Sequence, residues 1–131
     1  MAAVLLDTTV VIDLLRGRAG AADRLRALRA AGDSPYACAI NVEETARGLR
    51  TPELEPARTL FSALHIAPLG VQEGWQAGEW RREFAARGLT LAQTDCLVAA
   101  AALSVGARLA TGNPKDFPMD ELAVEHWPVG R

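Results

Sequence analysis

Four carboxylates are spaced so that a chain of alternating strands and helices would bring them to one edge of a sheet. Asp7 ends the first apolar run, and Glu44 follows the second within one helical turn. Asp95 opens the helix that precedes the fourth run, and Asp116 lies in the loop after Thr111, with Asn113 beside it. Acids held together repel, so a cluster of this kind needs a cation or takes up protons. An oxygen-only donor set suits Mg²⁺ or Mn²⁺, hard ions that accept a few carboxylates and keep waters for a substrate. Such an ion polarises a phosphodiester and yields hydroxide near neutral pH, so the expected chemistry is metal-assisted hydrolysis of a phosphate ester. Each acid also has a local explanation. Asp7 fits a helix cap, Glu44 a capping pair with Asn41, Asp95 a helix dipole, and Asp116 with Asn113-Pro114 a turn. Glu43 competes with Glu44, and spacing alone does not separate them.

The elements that must position these residues read as follows. Ala3–Leu6 is a buried strand, and Thr8 or Thr9 caps a helix through Leu15, ended by Gly17. A second helix covers Ala21–Ala31 and stops at Gly32. A strand over Tyr36–Ile40 is followed by Asn41 as cap of Val42–Leu49. Pro52 and Pro56 frame a helix to about Leu64, then a strand covers His65–Leu69. Val71–Arg87 is a long helix closed by Gly88, and Thr90 with Gln93 forms a capping box for Leu91–Val105. Strands at Ala107–Ala110 and Leu122–Trp127 complete the chain. Continuous apolar strands between helices predict an α/β fold, a parallel sheet of four to five strands covered on both faces. Ligands of such sheets bind beyond the carboxyl ends of the strands, where the acids fall.

The chain has 131 residues, half of them hydrophobic, which suits one domain with a real core and excludes wholesale disorder. A net charge of −2, from 14 basic and 16 acidic residues, argues against a wholly cationic surface but allows basic patches. All basic residues except Lys115 are arginine, which suits bidentate phosphate binding; a GC-rich genome yields the same bias. Cys38 and Cys96 lack CxxC spacing and read as buried small hydrophobes. The N-terminus has no cationic region and carries Asp7 and Asp13 among its apolar residues, so it is not a signal peptide. With no run near the roughly 20 apolar residues of a membrane span, a cytoplasmic protein is expected. On the long helix, Ala77, Trp80 and Phe84 share one face while Val71, Trp75 and Gly78 lie roughly opposite. One face is core, and the other is either a second core contact or an interface.

The segments carrying the acids resemble the PIN domain family, specifically the VapC-type toxins of bacterial toxin–antitoxin pairs. VLLDTTVVIDLLRG is similar to the opening strand, acid and helix of that family, with Asp7 on the first acid. INVEETARGL resembles the second block, whose acid lies two residues after a valine and four before a glycine, which selects Glu44 over Glu43. GLTLAQTDCLVAAAAL matches the third block with Asp95, and ARLATGNPKDF the last, with Thr111, Asn113 and Asp116 on its Thr, Asp/Asn and Asp positions. Thr9 stands where many relatives have Asn or Ser.

The resemblance implies that residues 1–131 form a single PIN domain, a three-layer α/β/α sandwich. It implies a Mg²⁺- or Mn²⁺-dependent endoribonuclease in which Asp7, Glu44 and Asp95 hold metal. Asp116 and Asn113 would do so directly or through water, supported by Thr9 and Thr111. Further implications are a homodimer and inhibition by a small VapB-like antitoxin whose tail covers the cleft. Arg16, Arg18 and Arg47 are candidates for gripping the RNA backbone, or plain solvated surface. A receiver domain would need an acid after the third strand, where His65–Val71 has none. A dehalogenase-like phosphatase would need an acid at Thr9. A PIN fold that binds RNA or a partner without cutting is the remaining alternative.

Overall fold

Three consecutive apolar residues, Val4, Leu5 and Leu6, are wholly shielded from solvent and form the middle of the sheet. The computed structural model describes residues 1–131. Its strands are β1 (Ala3–Leu6), β2 (Ser34–Ala37), β3 (His65–Ile66), β4 (Arg108–Thr111) and β5 (Val124–His126). Its helices are α1 (Thr8–Leu15), α2 (Ala19–Ala30), α3 (Ala39–Arg47), α4 (Leu54–Ser62), α5 (Val71–Ala86) and α6 (Gln93–Ser104). Short 3₁₀ turns cover Thr51–Glu53 and Pro114–Asp116. The sheet runs β3-β2-β1-β4-β5 and every neighbouring pair is parallel. β1 therefore lies between β2, with Val4 opposite Pro35, and β4, with Leu6 opposite Ala110.

Side chains alternate along the central strands, which divides the core into two layers. Val4, Leu6 and Ala110 pack with Val10, Val11, Leu25, Leu28, Leu64 and Trp127, the side covered by α1, α2 and α4. Leu5 and Leu109 pack with Trp80, Phe84, Val98 and the run Ala99–Ala102, the side covered by α5 and α6. Ala99, Ala100, Ala101 and Ala102 are all buried because α6 is enclosed by α5 and the sheet, and small side chains let three layers approach. These are the expected three layers. No helix is long and apolar enough to cross a membrane.

Several boundaries differ from expectation, each for a local reason. Asp7, not Thr8 or Thr9, occupies the cap position of α1, and its side chain makes no capping bond. β2 begins at Ser34 and ends at Ala37, and α3 starts at Ala39, three residues before the expected Val42. The cap of α3 is Cys38, whose N–H donates to Asn41 Oδ1 at 2.8 Å, so Asn41 serves inside the first turn rather than as the cap. β3 is only two residues long, since Pro68 cannot donate to the ladder. Thr90 does not cap α6, which opens at Gln93 after an extended Ala92 with no side-chain cap.

Candidate functional site

The chain runs outward from β1 to β2 and β3, then returns to place β4 on the other side of β1. A crevice forms at such a reversal, beyond the carboxyl ends of the two strands. Asp7 sits there. Its N–H donates to Ala110 O at 2.9 Å, extending the pairing of β1 with β4 by one residue. Its carboxylate is nearly buried and accepts the Thr111 hydroxyl at Oδ2, 2.7 Å away. Thr9 Oγ1 lies 3.5 Å from the same oxygen and accepts the Gly112 N–H at 3.0 Å. Thr111 Oγ1 in turn accepts the Asn113 N–H at 3.0 Å. These bonds stitch the loop after β4 to the start of α1. A Cβ at Gly112 would fall 2.5 Å from Val129 Cγ1 and 3.3 Å from Thr9 Oγ1, so a side chain at this seam would have to displace them.

Glu44 reaches the crevice from α3. Thr8 Oγ1 donates to its Oε1 at 2.7 Å, and Asn41 Nδ2 donates to Thr8 Oγ1 at 3.1 Å. Glu43 points elsewhere, with an exposed side chain 3.4 Å from Arg47. Packing thus makes the choice that spacing alone left open. Asp95 is half-buried in the first turn of α6, and Asp116 and Asn113 are exposed on the loop after β4.

The acids act on one another. Burial raises Asp95 to about 6, helped by the negative charges of Asp116, Asp7 and Glu44. Asp7 is also raised, first by burial and then by Glu44, against the opposing pull of the Thr111 and Thr9 hydroxyls and the Thr8 amide. Burial pushes the thiol of the buried Cys38 up, and the negative charges of Asp7 and Glu44 add to it. All four carboxylates therefore share one electrostatic environment.

No three of them are drawn together as a ready-made set of metal ligands. Mg²⁺ does not need one, because it keeps several of its waters, and acids that do not touch it directly can hold it through those waters. The donor set is all oxygen and mutually repulsive, the chemistry that a hard divalent cation relieves. The residues fit such an ion.

Arg16 and Arg18 are exposed at the end of α1. Arg16 lines a cavity of about 130 Å³ between α1 and α3, shared with Glu44, Thr45, Gly48 and Glu53. Arg47 is occupied by Glu43. On α5, Ala77, Trp80 and Phe84 are buried, and Trp80 Nε1 donates to Glu121 Oε2 at 3.0 Å. Trp75 and Val71, 67% and 74% exposed, are on the outer face, so the second-core reading of that face does not hold. Thr8 and Asn41 were missed as site residues. The only sequence signal was two small polar residues flanking acids in otherwise apolar segments.

Residues 4–122 match the family model described as PIN domain. Ribonuclease VapC19 of Mycobacterium tuberculosis is 32% identical over 115 residues, which cover 88% of this chain and 92% of the relative. Among solved structures, VapBC2 from Rickettsia felis bound to a DNA fragment from its promoter superposes with a TM-score of 0.82 at 22% identity, covering 95% of this chain and 98% of that one. A toxin–antitoxin complex from Klebsiella pneumoniae gives 0.74 at 24% identity, covering 92% and 95%. The match runs from β1 through β4 and includes Asp7, Glu44, Asp95 and Asp116 within its bounds, so the chain belongs to the PIN domain family.

Proposed function

We propose that this chain is a divalent-metal-dependent endoribonuclease of the VapC type, the toxin of a toxin–antitoxin pair. The observation that carries the reading is that Asp116, Asp7 and Glu44 lie near enough to Asp95 for their charges to add to the burial that raises it. Asp7, Glu44 and Asp95 are assigned as ligands of Mg²⁺ or Mn²⁺. Asp116 and Asn113, on the open side, bind directly or through water. When bound, the cation supplies Lewis-acid polarisation of the scissile phosphodiester and hydroxide near neutral pH. The protein's part is to hold the acids still. Thr111 and Thr9 fix Asp7 through Oδ2, and Thr8 fixes Glu44 through Oε1. Arg16 and Arg18, which have no carboxylate partner, are placed to hold RNA phosphates beside the crevice.

RNA as substrate is supported by the ribonuclease name of the mycobacterial relative, and an antitoxin partner by the Klebsiella toxin–antitoxin complex. A homodimer is supported by the exposed Trp75 face of α5, since aromatic residues concentrate at interfaces. Retention of two acids whose charged forms are disfavoured by burial supports a catalytic role over a binding-only one, because a binding surface has no need of them.

The test is digestion of structured RNAs with Mg²⁺ or Mn²⁺, comparing the wild type with Asp7→Ala and Asp95→Ala. The expected result is cleavage by the wild type alone, abolished by EDTA. Cleavage that survives in both variants or in excess EDTA overturns the proposal, and RNA binding without cleavage favours the binding-only role.

A further inference from the structure

Asn41 is completely shielded from solvent, and an asparagine in such a place destabilises a protein unless its amide is bonded. Here both ends of the amide are engaged. Oδ1 accepts the Cys38 N–H at 2.8 Å, and Nδ2 donates to Thr8 Oγ1 at 3.1 Å. The amide cannot be reversed, because NH₂ would then face the Cys38 N–H. With one lone pair taken by Asn41, the Thr8 hydroxyl directs its single proton to Glu44 Oε1, at 2.7 Å. The hydrogen bonds therefore run one way, from the Cys38 backbone through Asn41 and Thr8 to the carboxylate. Bonds in series polarise one another, which strengthens the last of them.

We infer that Thr8 and Asn41 are positioning residues for Glu44, a partly buried relay that holds its Oε1 and leaves Oε2 for a divalent cation. This rests on the metal-dependent reading of the site. Glu44 Oε2 carries no hydrogen bond within the protein, and Asp7 shows the same division, with both threonine hydroxyls on Oδ2. Each of the two carboxylates thus has one oxygen held by threonine. The relay also joins the start of α1 to the first turn of α3, 33 positions away in the chain, so it sets the distance between Asp7 and Glu44. Groups that orient ligands in this way typically change metal affinity about 10–100-fold when removed.

The experiment is calorimetric titration of the full chain with Mn²⁺, alongside thermal melting followed by circular dichroism. Thr8→Val removes the hydroxyl while keeping the shape, and is expected to weaken Mn²⁺ binding at least about tenfold. Thr8→Ser keeps the hydroxyl and is expected to restore most of that affinity. In a Glu44→Ala background, Thr8→Val is expected to change nothing further. If folded Thr8→Val binds Mn²⁺ like the wild type while Glu44→Ala binds weakly, the relay is wrong and the metal site stands. If Glu44→Ala also binds like the wild type, the relay falls together with the metal site. An equal loss from Thr8→Val with and without Glu44 shows that Thr8 acts elsewhere and overturns the relay. Thr8→Ala is read by the same criteria if Thr8→Val does not fold.

Discussion

The Thr111 hydroxyl donates to Asp7 Oδ2 across 2.7 Å, joining the ends of two adjacent parallel strands that lie 104 positions apart in the chain. It is a buried bond to a charged acceptor, in a place where water cannot substitute for it. β1 and β4 therefore deliver the acid and its holder together, and the crevice is built into the strand order rather than added by a flexible loop.

Thr111→Val keeps the shape of the side chain but leaves Asp7 without its nearest donor. The expected loss is about 1–3 kcal/mol of stability at neutral pH, measured by urea denaturation, because a buried carboxylate is left short of a partner. Thr111→Ser is expected to lose less than half of that. Equal stability of Thr111→Val and wild type would show that the bond contributes nothing.

Asp95 makes stability depend on pH in a defined sense. Its carboxyl titrates near 6 in the fold, against an ordinary 3.8, so between these values the folded protein binds more protons than the unfolded chain. Stability then falls as pH rises through this interval and levels off above it. In the absence of divalent metal, Asp95→Asn is expected to be more stable than wild type at pH 7.5, by on the order of 1 kcal/mol. That figure is set below the full shift because a half-buried carboxyl is partly screened by water. The advantage should shrink as pH falls below 6 and vanish near 4. A pH-independent difference would contradict the assignment.

The two tryptophans of α5 are expected to part company on substitution. Trp80→Ala removes a buried ring bonded to Glu121 and should lower stability by about 3–5 kcal/mol. Trp75→Ala touches an exposed ring and should leave monomer stability within about 0.5 kcal/mol. Analytical ultracentrifugation of Trp75→Ala is expected to show a shift toward monomer. An unchanged monomer–dimer balance and unchanged antitoxin affinity would remove this face from the interface.

The layered α/β class, the long α5 with its two faces, and the acids near strand ends were legible in the residues alone. These depend on local patterning, namely apolar runs for strands, a 3.6-residue period for helices and glycine at their ends. Short-range capping was read less well. Asn41 and Thr90 have the right residue types for caps, yet Cys38 and Ala92 hold those positions. For α3 the cap depends on where β2 releases the chain, and that is set by sheet register rather than by residue type.

Tertiary structure decided the rest. Between Glu43 and Glu44 the family resemblance favoured Glu44, and the side of α3 packed against α1 supplies the physical reason, because adjacent helical residues differ by about 100° in direction. The rise of Asp95 to about 6 comes first from its burial and then from Asp116, Asp7 and Glu44 on three separate segments, and no local pattern encodes either. The bond from Thr8 to Glu44 spans 36 positions and exists because α3 docks on the start of α1. Composition and periodicity determine which surfaces must be buried. Which polar side chains then meet at a few ångströms depends on how those buried surfaces pack, and here that packing set the partners of Asp7 and Glu44.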